Sequence, residues 1–109
     1  MEKIAAMLVL NTCPDMHSAE DLARFLIESS LAACVNILPA GRSLYRWQGE
    51  LHEEAECVLL IKTTHDAWPC LREALRERHP YELPEILAVP VVAGLDGYLK
   101  WLGEMVNVE

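Results

Sequence analysis

The apolar positions change period several times along the chain, and each change predicts an element. Residues 4–10 (Ile-Ala-Ala-Met-Leu-Val-Leu) form a near-continuous apolar run. Such a run predicts a strand covered on both faces, or on one face and by a neighbouring subunit. Asn11-Thr12-Cys13-Pro14-Asp15 closes it, since Pro14 cannot continue a buried ladder. Ala19, Leu22, Ala23 and Leu26 then recur at helical spacing, with Glu20, Arg24 and Glu28 outside. Ser18 is the expected N-cap, and the helix should end near residues 29–31. Cys34-Val35-Asn36-Ile37-Leu38 opens a second strand. Pro39 and Gly41 predict a bend or bulge in an edge strand that resumes over Ser43–Trp47.

Gln48-Gly49-Glu50 reads as a hairpin turn. The third strand alternates with period two. Leu51, Glu53, Ala55, Cys57, Leu59, Ile61 and Thr63 share one face, and His52, Glu54, Glu56, Val58, Leu60 and Lys62 share the other. Its first half is the more polar, so the start of the hairpin should project beyond the core. Asp66 is the expected cap of a second helix, with Pro69 in its first turn and Ala67, Leu71, Ala74 and Leu75 as its apolar stripe. His79-Pro80 ends it. A fourth strand should run from Ile86 to Ala93, and Asp96 should cap a short last helix.

The order is β-α-β-β-α-β plus a C-terminal helix. It predicts an α+β, ferredoxin-like split β-α-β fold with an antiparallel sheet in the order 4-1-3-2 and both long helices on one face. At 109 residues, 1–109 is expected to be a single domain. The other sheet face would lack full cover from this chain, which points to an oligomer. The long edge strand, with Leu44, Tyr45 and Trp47 in its far half, points the same way.

Charge changes the picture of function. Seventeen acidic residues against nine basic ones give a formal charge of −8. Nucleic-acid binding needs a basic footprint and is not expected. No apolar run is long enough for a membrane helix and no secretory signal is read at the N-terminus, so a cytoplasmic setting without membrane attachment is expected. The four cysteines form no Cys-x-x-Cys pair and read as free thiols in such a compartment.

The topology gathers candidate chemistry at the end of the sheet where the first strand finishes. Cys13, Met16 and His17 lie in one loop there. A soft metal site at that end would draw on Cys13, His79 and Glu85. The bland alternative is a turn capped by Asp15 with an incidental thiol. The stiff loop His79–Glu85 carries two prolines and Tyr81. It reads equally as a positioned acid–base or metal-ligand pair and as a rigid connector. Tyr45 and Trp47 share one face of the hairpin, as interface aromatics or as a ligand stack. Lys62-Thr63-Thr64 makes a poor phosphate loop. Acylphosphatases share this fold but need an arginine-bearing, glycine-rich loop after the first strand, and residues 12–17 have neither.

Several segments then fall into one pattern: Leu31–Asn36, Ser43–Gly49, Lys62-Thr63, His79–Glu85 and Gly97–Trp101. Together they resemble the CutA divalent-cation tolerance proteins over nearly the whole chain. The resemblance implies a ferredoxin-like fold, a tight homotrimer, a cytosolic setting, no enzymatic activity, and a link to copper and other divalent ions. Cys34 and His79 match the family's motifs. Cys13 departs from them, since some members carry their cysteine at the position held here by Asn11. The resemblance also implies similarity to trimeric PII-like signalling proteins. Two readings of function follow. One is a non-enzymatic metal-response trimer binding copper or another divalent ion through some of Cys13, His79 and Glu85. The other is a small-ligand sensor whose inter-subunit clefts are lined by Tyr45, Trp47, Lys62, His79, Tyr81 and Glu85.

Overall fold

The computed structural model describes residues 5–107. Its elements are β1 (Ala6–Cys13), α1 (Met16–Glu28), β2 (Cys34–Trp47), β3 (Glu50–Thr64), α2 (Trp68–Arg78), β4 (Ile86–Pro90) and α3 (Asp96–Met105). The four strands form one antiparallel sheet in the order β2-β3-β1-β4, the expected ferredoxin-like arrangement.

Register decides which side chains share the core. Val9 pairs with Ile61 and Ala88, Asn11 with Leu59 and Ile86, and Ile37 with Leu59. Directly opposed residues point to the same sheet face. This face meets Leu22 and Leu26 of α1 and Leu71 and Leu75 of α2 in one buried cluster. The other face carries Leu8, Leu10, Leu38, Val58, Leu60, Leu87 and Val89 by the same register. Leu38, Leu87 and Val89 are exposed there. The two faces are thus both apolar, but only one is fully covered.

The β2–β3 hairpin extends past the other strands and makes the molecule 51 Å long. Its turn has positive φ at both Gln48 and Gly49, the geometry that matches strand twist in a two-residue hairpin. The expected interruption of β2 is a bulge between Leu38 and Gly41, with Ala40 at positive φ. The extra residue reverses the alternation of β2. Tyr45 and Trp47 therefore lie opposite His52 and Glu50, on the face of Leu38 rather than that of Ile37. Gly41 is required at this crossing, because a Cβ there would sit 2.8 Å from the Glu56 carbonyl oxygen.

Five boundaries differ from expectation. β1 continues through Asn11, Thr12 and Cys13, all paired with β3, and only Pro14 stops it; the Ile4 end of the expected run lies outside the described residues. Asp15, not Ser18, caps α1. The Asp15 carboxylate accepts the Ser18 N–H at 2.8 Å, so the helix starts a turn earlier. Ala67, not Asp66, precedes α2, and Thr64 Oγ1 accepts the Ala67 N–H at 3.2 Å. β4 ends at Pro90 rather than Ala93, and Asp96 sits in the first turn of α3 behind Leu95 instead of capping it.

Candidate functional site

The end of β1 delivers three consecutive buried residues, Asn11, Thr12 and Cys13, to one corner of the sheet. The His79–Glu85 loop crosses this corner between α2 and β4, and its polar groups dock onto the strand. Asn11 donates its side-chain amide to the Glu85 carbonyl at 2.8 Å. His79 is buried, and its Nε2–H donates to the Thr12 carbonyl at 2.8 Å. Its Nδ1 accepts the Tyr81 N–H at 3.1 Å. The Tyr81 hydroxyl donates to Glu56 Oε2 at 2.6 Å, and Glu56 is itself buried. A buried carboxylate needs such a donor, since burying an unpaired charge is expensive.

These bonds fix the electrostatics. Burial is the main force holding the His79 pKa below its ordinary value, opposed by the Thr12 carbonyl and by Glu56. Together with its two hydrogen bonds, this makes His79 a neutral imidazole with its proton on Nε2. Burial likewise pushes the Cys13 thiol up to about 12, helped by the neighbouring Cys57, Asp15 and Glu56. Burial, and then the Glu56 hydrogen bond, hold the Tyr81 hydroxyl well above the usual range. Cys13, His79 and Tyr81 are thus all pressed toward their uncharged forms, with burial the largest cause in each.

The expected metal site can now be tested against geometry. Cys13 Sγ lies 3.8 Å from His79 Nε2 and 3.6 Å from Asn11 Oδ1, so two of the three expected ligands do meet. Glu85 contributes its backbone carbonyl, to Asn11, and its side chain is exposed. Among the described residues no three His, Cys, Asp or Glu side chains gather as a metal cluster. His79 has one nitrogen protonated and the other accepting a bond, which leaves no lone pair for an ion. A divalent ion does not fit the Cys13–His79–Glu85 set in this subunit.

The expected cleft residues are dispersed in one subunit. Tyr45 stacks on His52, with centroids 5.4 Å apart and planes 13° apart, far out on the hairpin. Trp47 is exposed beyond it. Partial desolvation, and then Glu54, raise the Tyr45 hydroxyl pKa. Lys62 sits ten positions from His52 along β3, on the order of 30 Å away, where it donates to Asn36 Oδ1 and to Cys34 Sγ, the latter at 3.8 Å. Tyr81 is at the closed corner. One feature escaped the sequence reading, the Glu56–Tyr81 bond. Its only sequence signal was a glutamate at the polar-to-apolar transition of β3.

The fold agrees with what comparison shows. A family model described as "CutA1 divalent ion tolerance protein" matches residues 7–105. The chain belongs to that family. The divalent-cation tolerance protein CutA of Thermus thermophilus is 50% identical over 97 residues, covering 89% of this chain and 94% of that one. A CutA homologue of Xenopus laevis is 45% identical across 87% of this chain, which spans 63% of that longer protein. The crystal structure of CutA1 from Oryza sativa superimposes with a TM-score of 0.95 at 34% identity, covering 98% of both chains. CutA proteins are named for tolerance of cations and not for a reaction.

Proposed function

We propose that this CutA protein is a non-enzymatic homotrimer that acts in the response to divalent cations, and that its binding sites are completed between subunits. The observation that carries the reading is the exposed hairpin arm on an edge strand. Among the described residues β2 has no strand on its outer side, and Leu44, Tyr45 and Trp47 are exposed along its far half. Unpaired strand edges with apolar side chains are aggregation templates unless another chain covers them. β4 is the other edge. An edge that docks on a different edge of the next subunit makes a heterologous contact, and such contacts close into rings. The ring of three is the family expectation. The same packing would cover Leu38, Leu87 and Val89.

The formal charge of −8 favours attraction of copper or other divalent ions. Since Cys13 and His79 are already satisfied, the ion's ligands are groups that assembly brings together. A cytoplasmic setting, where exposed Cys70 stays reduced, belongs to this reading. Light scattering over a range of concentrations should give the mass of a trimer, and Trp47→Asp should dissociate it or make it insoluble. A monodisperse monomer at micromolar concentration overturns the assembly. Equilibrium dialysis with copper and zinc should show binding that survives Cys13→Ser with His79→Ala. Loss of binding in that variant, with the trimer intact, would return the ligands to the closed corner.

A second reading, a small-ligand signalling module, is favoured by the Tyr45–His52 stack beside exposed Trp47, a flat aromatic platform. A thermal-shift screen of nucleotides and metabolites against metals separates the two, because a ligand raises the melting temperature by mass action. A response to organic ligands alone favours the second.

A further inference from the structure

The register between β1 and β3 puts two cysteines face to face. Cys13 pairs directly with Cys57 in the last rung of this ladder. The kind of rung can be worked out. The His65 N–H donates to the Ala5 carbonyl at 2.7 Å, one step before the Ala6–Thr64 pair. Hydrogen-bonded rungs alternate with non-bonded ones, so those at residues 5, 7, 9, 11 and 13 of β1 are the bonded kind. The Val91 N–H donation to Ala6, on the other side of β1, fits the same alternation. A bonded rung holds its Cα atoms about 5.5 Å apart. Disulfides occur with Cα separations of roughly 4.4–6.8 Å and Cβ separations of about 3.5–4.5 Å, so the Cα spacing fits and the Cβ atoms of a bonded rung must close by about 1 Å at the end of β1. Opposed residues also send their side chains to the same face, and both thiols belong to the same buried cluster.

We propose that Cys13 and Cys57 are an oxidation site: a dithiol that hydrogen peroxide converts to an intrachain disulfide at the base of the hairpin arm. Cys57 retains slight exposure while Cys13 has none, so Cys57 reacts first. Its sulfur attacks one peroxide oxygen and the O–O bond breaks. The departing hydroxide takes the thiol proton and leaves as water. Cys13 sulfur then attacks the resulting sulfenic sulfur. The S–S bond forms, the S–O bond breaks, and a second water carries away the Cys13 proton. Two thiols and one peroxide give one disulfide and two waters.

The surroundings set the speed and the consequence. A thiol held protonated by burial is a poor nucleophile, so the reaction is slow and waits on local opening at the end of β1. The bridge draws Cys13 Sγ away from His79 Nε2 and Asn11 Oδ1, its two present neighbours. Oxidation is thereby coupled to the seat of the His79–Glu85 loop. The other two cysteines are poorly placed to compete. Cys34 pairs with Lys62 at the far end of β3, and Cys70 is exposed on α2.

The test uses the full-length chain carrying Cys34→Ser and Cys70→Ser, which keeps both core thiols. The protein is incubated with hydrogen peroxide, unfolded in the presence of an alkylating agent, digested and weighed. The expected product is a cross-linked peptide joining Cys13 to Cys57, lighter by two hydrogens and separated again by dithiothreitol. Adding Cys57→Ser should abolish that product while circular dichroism confirms the fold. Should both thiols remain open to alkylation after long exposure, or each take up oxygen without becoming linked, the proposal fails.

Discussion

The two ends of β3 obey different physics. At Glu56 and Cys57 the strand enters a corner where the polar side chains are hydrogen-bonded and burial favours the uncharged forms of Cys13, His79 and Tyr81. A few residues earlier, between Glu50 and Ala55, it forms one side of an arm with almost nothing buried. Both stretches carry glutamate, yet Glu56 is buried on the Tyr81 hydroxyl while Glu53 makes an exposed contact to Arg42. Composition alone does not separate them. The difference comes from the bulge at Leu38–Gly41 and the end of β1, beyond which no third strand among the described residues pairs with the hairpin. The closed end is packed, and the open end is exposed.

The strongest way to break this comparison is to truncate the same residue type on each side. Leu71, fully buried on the helix face, should cost about 2–5 kcal/mol as Leu71→Ala, from lost transfer energy plus the cavity left behind. Leu51, 73% exposed on the arm, should cost less than about 0.5 kcal/mol as Leu51→Ala. Urea unfolding of the two variants reads both values, at one protein concentration so that assembly does not confuse them. Equal losses would mean that the arm is as well packed as the core. A smaller contrast lies in the tyrosines. Tyr81→Phe leaves the buried Glu56 carboxylate without its donor and should cost about 1–3 kcal/mol, whereas Tyr45→Phe should change stability little.

Much of this was legible in the sequence, for reasons that differ between elements. The order of strands follows from periodicity, and the alternation of β3 correctly put Cys57, Leu59, Ile61 and Thr63 on one face. The caps were less legible because two candidates stood within one turn. Asp15 precedes Ser18 by three residues, and only the closed hydrogen bond shows which one starts the helix. The bulge was expected at Pro39 and Gly41, but its reversal of the later residues depends on a pairing no single strand displays. The corner was half legible. His79 and Cys13 were both singled out and do meet. That the imidazole spends both nitrogens on Thr12 and Tyr81 depends on loop coordinates, and that detail removes it from the set of metal ligands.

The neutral state of His79 makes a prediction on the pH axis. Its folded pKa lies below the ordinary histidine value of 6.5, so between those two points the unfolded chain binds the extra proton. Stability is complete above 6.5 and declines as pH falls through this window. Carboxylates held low by partners, such as Asp15 and Glu73, act only further into acid. His79→Gln keeps a donor for the Thr12 carbonyl and has no proton to gain. Urea midpoints measured from neutral pH downward should fall in the wild type and stay flatter in the variant. Parallel profiles would mean that His79 is charged in the folded protein.

The smallest expected effect tests the open end. Arg42 donates through Nε and an Nη to a single Glu53 oxygen, at 3.1 and 2.7 Å, and both side chains are more than half exposed. They cross the hairpin diagonally, since Arg42 pairs with Ala55 and Glu53 with Leu44. Water competes for such a pair and salt screens it, so a double-mutant cycle with Arg42→Ala and Glu53→Ala should return about 0.2–1 kcal/mol. Added salt at molar strength should reduce that coupling toward zero, because the screening length then falls to about 3 Å. A coupling that stayed large in salt would show the pair to be shielded from water. In the chain alone nothing shields it, so the shield would be a neighbouring subunit seated on the arm. The same cycle repeated in a Trp47→Asp background that stays soluble would then show whether the shielding leaves with the assembly.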